Sequence, residues 1–153
     1  MKFVATEDIR APLDLVWDEV SAIERWEGLI RRGADRLERQ PPGPPGPGTR
    51  WMGRGTVSGK RRDVAATLVA LDPRRQLVIE GGTDGMTVVL EVALEARGPA
   101  LTRLTVVTEA RARTLSARLL LQSARLARAS LAKRYKERVS NFASRMETLA
   151  AAA

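Results

Sequence analysis

Apolar positions recur with period two over much of residues 1–113 and with spacings of three and four after them. Residues 2–10 place Phe3, Ala5 and Ile9 on one alternating face, which predicts a strand. The rhythm changes at Ala11-Pro12. Leu13, Val16, Trp17 and Val20 then form a helical stripe over 12–20, with Trp17 read as core. Pro12 suits the first helical position, where its missing N–H costs nothing, and Asp14 sits early, near the positive helix end. A second short helix is expected over 22–30 (Ile23, Trp26, Ile30), with Gly33 ending the pair.

Residues 34–40 read as a short strand around Leu37. Five prolines and three glycines fill 41–48, a composition that excludes both ladder and helix. It reads as an extended hairpin loop rather than a proline-rich ligand for a partner domain. Strand then follows strand: 49–58, 61–71, 76–81, 86–96 and 101–112. Their turns are Ser58-Gly59-Lys60, Asp72-Pro73-Arg74-Arg75, Gly82-Thr83-Asp84-Gly85 and Arg97-Gly98-Pro99. Val64, Ala66 and Leu68, then Val88, Leu90, Val92 and Leu94, then Leu104, Val106 and Ala110 fall on one face. Polar residues such as Thr87, Glu91 and Arg103 fall on the other, as in a one-sided antiparallel meander.

No Gly or Pro occurs after Arg113, and Thr114 is a natural N-cap. A single long helix over 114–149 is expected, with a frayed tail at 150–153. Its apolar stripe runs through Leu120, Ala124, Ala127, Leu131, Tyr135, Val139, Phe142, Met146 and Leu149, and Leu115, Leu119 and Leu126 widen it at the start. The order of elements gives an α+β domain in which this amphipathic helix covers the apolar face of the sheet.

Charge sharpens the picture of that helix. Residues 1–110 hold 16 basic and 16 acidic side chains, whereas 111–153 hold 10 and 2, so the last segment carries the whole net charge of +8. Its basic face fits a solvated surface, an anionic membrane surface, or nucleic acid. Specific nucleic-acid binding is disfavoured, because Tyr135 and Phe142, its only aromatics, lie on the apolar stripe. The chain has no Cys and no His. Thiolate catalysis, Ser/His triads and the commonest metal ligands are therefore excluded, and no metal or cofactor is expected. No apolar run approaches the ~20 residues of a membrane span, and the N-terminus turns acidic at Glu7-Asp8, so a cytoplasmic protein is expected.

The stretch Ile9-Arg10-Ala11-Pro12-Leu13-Asp14-Leu15-Val16-Trp17, which closes the first strand and opens the first helix, resembles the START-like (SRPBCC-type) helix-grip superfamily of bacterial polyketide cyclase/dehydrase and lipid-transport proteins. Asp72-Pro73 between central strands and the run Arg111, Arg113, Thr114, Leu115 into the last helix are similar to bacterial members as well. The resemblance covers nearly the whole chain. It implies a single helix-grip domain over 1–149: a curved seven-stranded antiparallel sheet wrapped around a long C-terminal helix, with two short helices after the first strand.

The resemblance further implies a cavity for a small hydrophobic ligand (a lipid, polyketide or aromatic) between residues 115–131 and the inward strand faces. The candidate lining is Trp26, Trp51, Leu68, Val88, Leu90, Leu104, Leu119, Gln122 and Leu126. Gly53 and Gly55 would leave room beside Trp51, through close ligand approach or through a bent strand. Glu7 and Arg62 fall in phase with apolar positions near strand ends, where alternation commonly reaches solvent. Glu80 and Asp84 straddle a glycine turn and read as solvated, not as a catalytic pair. No catalytic residue is assigned. Non-catalytic binding leads; a cyclase-type enzyme acting by cavity shape and an interaction protein using the basic helix are the alternatives.

Overall fold

The computed structural model describes residues 1–57 and 59–153; of the turn expected at Ser58-Gly59-Lys60, Ser58 lies outside the described residues, while Gly59 (φ +78°) turns and Lys60 pairs with Val57. Its elements are β1 (Lys2–Ile9), α1 (Leu13–Val20), α2 (Ile23–Gly33), β2 (Ala34–Gln40), β3 (Arg50–Val57), β4 (Lys60–Asp72), β5 (Gln76–Thr83), β6 (Met86–Gly98), β7 (Leu101–Ala112), α3 (Leu115–Leu126) and α4 (Arg128–Ala152). All neighbouring strands pair antiparallel, in the order β1-β7-β6-β5-β4-β3-β2. This is the curved open sheet, short helix pair and long C-terminal helix of a helix-grip architecture. Pro12 stands one residue earlier than expected, as the extended cap before α1. The expected turn 82–85 shrinks to Asp84-Gly85, because Gly82 and Thr83 still pair with Thr87 and Met86.

The dense core lies at one end. Ile9, Val16, Leu68, Leu104 and Met146 are fully buried there, joined by Trp17, Leu77 and Leu94. The corner between β1 and α1 is fastened to the sheet by a buried hydroxyl: Thr102 Oγ1 on β7 donates to the Ala11 carbonyl at 2.9 Å. The loop 41–48 joins β2 to β3 at the other side of the sheet. Its prolines are mainly exposed, and its end is pinned where the Gly46 N–H donates to Thr49 Oγ1 and the Gly48 N–H to the Leu68 carbonyl.

The expected single C-terminal helix is two. Ala127 (φ −103°, ψ 17°) ends α3 and opens α4, and its N–H reaches back to the Ala124 carbonyl in a tightened last turn. A straight helix over 115–152 would run about 57 Å, past the ~43 Å of a 13-residue strand. The break lets the two pieces pack against different strands. α4 lies along β1 and α3 against β7. α4 also continues to Ala152, beyond the expected end at 149.

Ties at both ends strap α4 to β1. Near its start the Arg128 guanidinium sits 5.7 Å from the Phe3 ring centre and donates to the Lys2 carbonyl at 3.3 Å. Two turns on, the Tyr135 ring lies 5.6 Å from Phe3 and its hydroxyl is 3.1 Å from Thr108 Oγ1. Burial raises the Tyr135 phenol above its ordinary value, partly opposed by that hydrogen bond. Near the far end Glu147 Oε2 accepts from the Arg10 backbone N–H at 2.8 Å and from Arg10 Nε at 3.1 Å. The backbone donor first, then the guanidinium, holds the Glu147 carboxyl below the ordinary carboxylate value.

Thr102→Val is expected to destabilise the fold by about 1–2 kcal/mol, because the buried Ala11 carbonyl loses its side-chain donor. A lower urea midpoint with an unchanged slope checks this. The depressed Glu147 carboxyl contributes stability above the unfolded carboxylate value and loses it as pH falls through the folded one. Glu147→Gln should therefore narrow the difference in Tm between about pH 6 and about pH 3.

Candidate functional site

A cavity of about 590 Å³ opens where the helices stop covering the sheet. That volume falls within the roughly 300–1,000 Å³ typical of small-molecule sites. Its floor is Val64 and Ala66 of β4, Ile79 of β5, Leu90 and Val92 of β6, and Val106 of β7. These side chains are short, and alternation along each strand turns them to the same concave face. The roof comes from Val139 and Phe142 of α4, and the side wall from Ile23 and Trp26 of α2. Trp26 packs on Phe142 with ring centres 6.4 Å apart and donates its indole N–H to the Glu19 carbonyl at 3.2 Å. Arg145 covers the same Phe142 ring at 5.4 Å.

Among the described residues that line the cavity, only Glu27 and Arg138 are charged. Glu27 is 5% exposed, and its carboxylate is heavily engaged. Oε2 accepts from Trp51 Nε1 at 2.7 Å and lies 3.6 Å from Arg39 Nε; Oε1 lies 3.0 Å from Arg31 Nη1. Arg39 Nη1 is buried, makes no hydrogen bond and lies 3.6 Å from Glu24 Oε1. The cluster ties α2 to β2 and β3 and fixes the Trp51 indole. Both Glu27 oxygens are committed to protein donors, so the carboxylate acts as a clamp within the wall.

Four of the sequence candidates come together here: Trp26, Trp51, Leu90 and Leu104 all line the cavity. Leu68 is fully buried in the core and does not line it, because a bulge after Leu68 on β4 and the pinned loop at Gly48 enclose it. Val88 is half-buried on β6 outside the lining. Leu119, Gln122 and Leu126 are exposed on α3 and lie outside the cavity. The expected wall at 115–131 is replaced by residues 138–142 of α4. The cause is the seating of α3. A Cβ on Gly85 (φ +77°) would fall 2.5 Å from the Thr114 side chain, so this glycine lets the helix cap dock on the β5–β6 turn. The Arg113 N–H donates to the Gly85 carbonyl at 2.7 Å, Thr114 Oγ1 caps the Ala117 N–H, and Ala117 is buried.

Of the two glycines expected to leave room beside Trp51, Gly53 has its space filled by protein. A Cβ on Gly53 would lie 2.5 Å from the Arg36 carbonyl oxygen, so Gly53 admits the bulged backbone of β2, not a ligand. Arg62 reaches Asp84 Oδ2 at 2.6 Å at the end of the sheet, away from the cavity lining. Glu27 and Arg138 were not anticipated. A signal for Glu27 was present: it stands four residues after Ile23 and three before Ile30, in phase with the apolar side of its helix.

Residues 1–147 match the family model for polyketide cyclase/dehydrase and lipid transport. The chain belongs to this family. No curated protein matches it significantly in sequence. Solved structures share its fold at low identity. TTHA0849 from Thermus thermophilus is 15% identical over 100% of both chains, with a TM-score of 0.62. The Zhui aromatase/cyclase from Streptomyces sp. R1128 is 18% identical over 95% of this chain and 94% of that one, with a TM-score of 0.62. Norcoclaurine synthase from Thalictrum flavum is 14% identical over 74% and 70%, with a TM-score of 0.56. No helix among the described residues is long and apolar enough to cross a membrane.

Glu27→Leu is expected to destabilise this family member by about 3 kcal/mol, since it leaves the buried Trp51 indole N–H without its acceptor and removes the carboxylate that faces Arg31 and Arg39. Urea unfolding monitored by tryptophan emission checks it.

Proposed function

We propose that this protein binds a small apolar ligand, lipid-like or aromatic, in the cavity between α4, α2 and the sheet, without transforming it. One observation carries the reading. Among the described residues the cavity wall is apolar except for Glu27 and Arg138, and the Glu27 carboxylate is already engaged by Trp51, Arg31 and Arg39. A general base needs an oxygen free to meet a substrate proton. Burial of apolar ligand surface against Val, Ile, Leu and aromatic side chains supplies affinity, and the indoles of Trp26 and Trp51 offer flat surfaces for stacking.

Arg138 supports a second reading. It is exposed on α4 and also lines the cavity, where a guanidinium could stabilise a developing oxyanion in a cyclisation steered by cavity shape. Under that reading Arg138→Gln abolishes turnover while ligand affinity persists.

Native mass spectrometry of protein purified without detergent tests the binding reading, with a retained apolar compound as the expected result. Ala66→Phe, which projects a ring from the cavity floor, should weaken binding of an apolar fluorophore at least roughly tenfold with little change in Tm. If the wild type binds no apolar compound and Ala66→Phe unfolds, the space is needed for packing and the proposal fails.

A further inference from the structure

α3 shows Leu115, Leu119 and Leu126 to solvent and seats Ala117, Leu121 and Ala124. Ala117 is 4% exposed, and Leu121 and Ala124, four and seven residues on, are half-buried on the same side against β7. Leu115, Leu119 and Leu126 fall on the opposite side at spacings of four and seven, and are 72%, 55% and 93% exposed. Arg118, Gln122 and Arg125 flank this stripe and are exposed. No carboxylate occurs between Glu109 and Glu137, whereas that interval holds Arg111, Arg113, Arg118, Arg125, Arg128, Lys133, Arg134 and Lys136. A leucine ridge bordered by arginines on a helix held to the body by its other side is the pattern of an interfacial helix.

We propose that α3 docks this protein on an anionic lipid bilayer, with Leu115, Leu119 and Leu126 entering the interface and Arg118 and Arg125 meeting lipid phosphates. The charge pattern selects this occupant. Two copies pairing through the leucine ridge in a two-fold dimer would bring their arginine borders together with no acid on either helix to offset them. A nucleic acid would set its phosphates against leucines, and no aromatic side chain stands on the ridge to stack on a base. A bilayer surface satisfies both halves at once: acyl chains take the leucines and the negative surface potential takes the arginines. Arg128 is excluded from the contact because it folds back onto Phe3 and the Lys2 carbonyl.

Vesicle flotation of the full chain tests the proposal, and it needs no cavity ligand. Wild-type protein is expected to float with phosphatidylglycerol/phosphatidylcholine vesicles at low salt, to lose retention as salt rises, and to float poorly with phosphatidylcholine alone. Leu119→Gln combined with Leu126→Gln should lower partitioning roughly tenfold or more. Arg118→Gln combined with Arg125→Gln should reduce binding on anionic vesicles to the level seen on neutral ones. Both double variants should keep the wild-type Tm, because all four side chains are exposed. Absence of wild-type retention at low salt would overturn the proposal. So would a leucine double variant that floats like wild type, since the ridge would then contribute nothing. A wild-type dimer that the leucine variant dissolves, without vesicle binding by either, would assign the ridge to a second copy. Retention on RNA that survives the leucine changes, again without vesicle binding, would assign the arginines to nucleic acid.

Discussion

An amphipathic helix about 10 Å across cannot cover the apolar face of seven strands spaced about 4.8 Å apart, some 29 Å of sheet. Everything else in this molecule answers that mismatch. α1 and the C-terminal part of α4 close one end, where Ile9, Val16, Leu104 and Met146 are fully buried. Toward β4 and β5 the helices run out, and the short side chains of the sheet face a cavity. The cavity is thus a consequence of coverage: helix tied to β1, floor on β4 through β7, side wall from α2.

The polar groups are distributed accordingly. Thr102, buried at the closed end, fastens the β1–α1 corner, and Glu147 fastens the tail of α4 to Arg10. Glu27 stands in the cavity wall itself, where an unpaired carboxylate would be costly, and the Trp51 indole with two arginines compensates it. The same cluster orients an aromatic ring at the lining. Stability and the shape of the site therefore rest on one set of contacts, which ties any change in the wall to the attachment of α2.

The break at Ala127 divides the C-terminal segment between two tasks. α4 supplies the roof of the cavity through Val139 and Phe142. α3, docked at Gly85 and Thr114, turns its leucines outward beside a carboxylate-free run of arginines and lysines. The outward ridge and the cavity are built from separate residues, so either can be altered without touching the other.

The amino-acid pattern by itself determined the strands, the helix pair, the Thr114 cap and the fold family, because alternation, caps and breakers are local and the Ile9–Trp17 stretch is distinctive. It also placed Trp26, Trp51, Leu90 and Leu104 at positions that line the cavity. Which side of α3 faces the sheet was not local. Apolar spacing put Ala124 inward but also Leu115, Leu119 and Leu126; the close approach of Thr114 to Gly85 and the break at Ala127, where no Gly or Pro marks it, set the helix on Ala117, Leu121 and Ala124 and turned those three leucines outward. The same holds for Gly53, whose missing side chain makes room for β2, and for Glu27, whose partners beyond Arg31 on its own helix come from β2 and β3. Only tertiary structure decides such cases, because burial of a given face depends on what the chain brings against it from elsewhere.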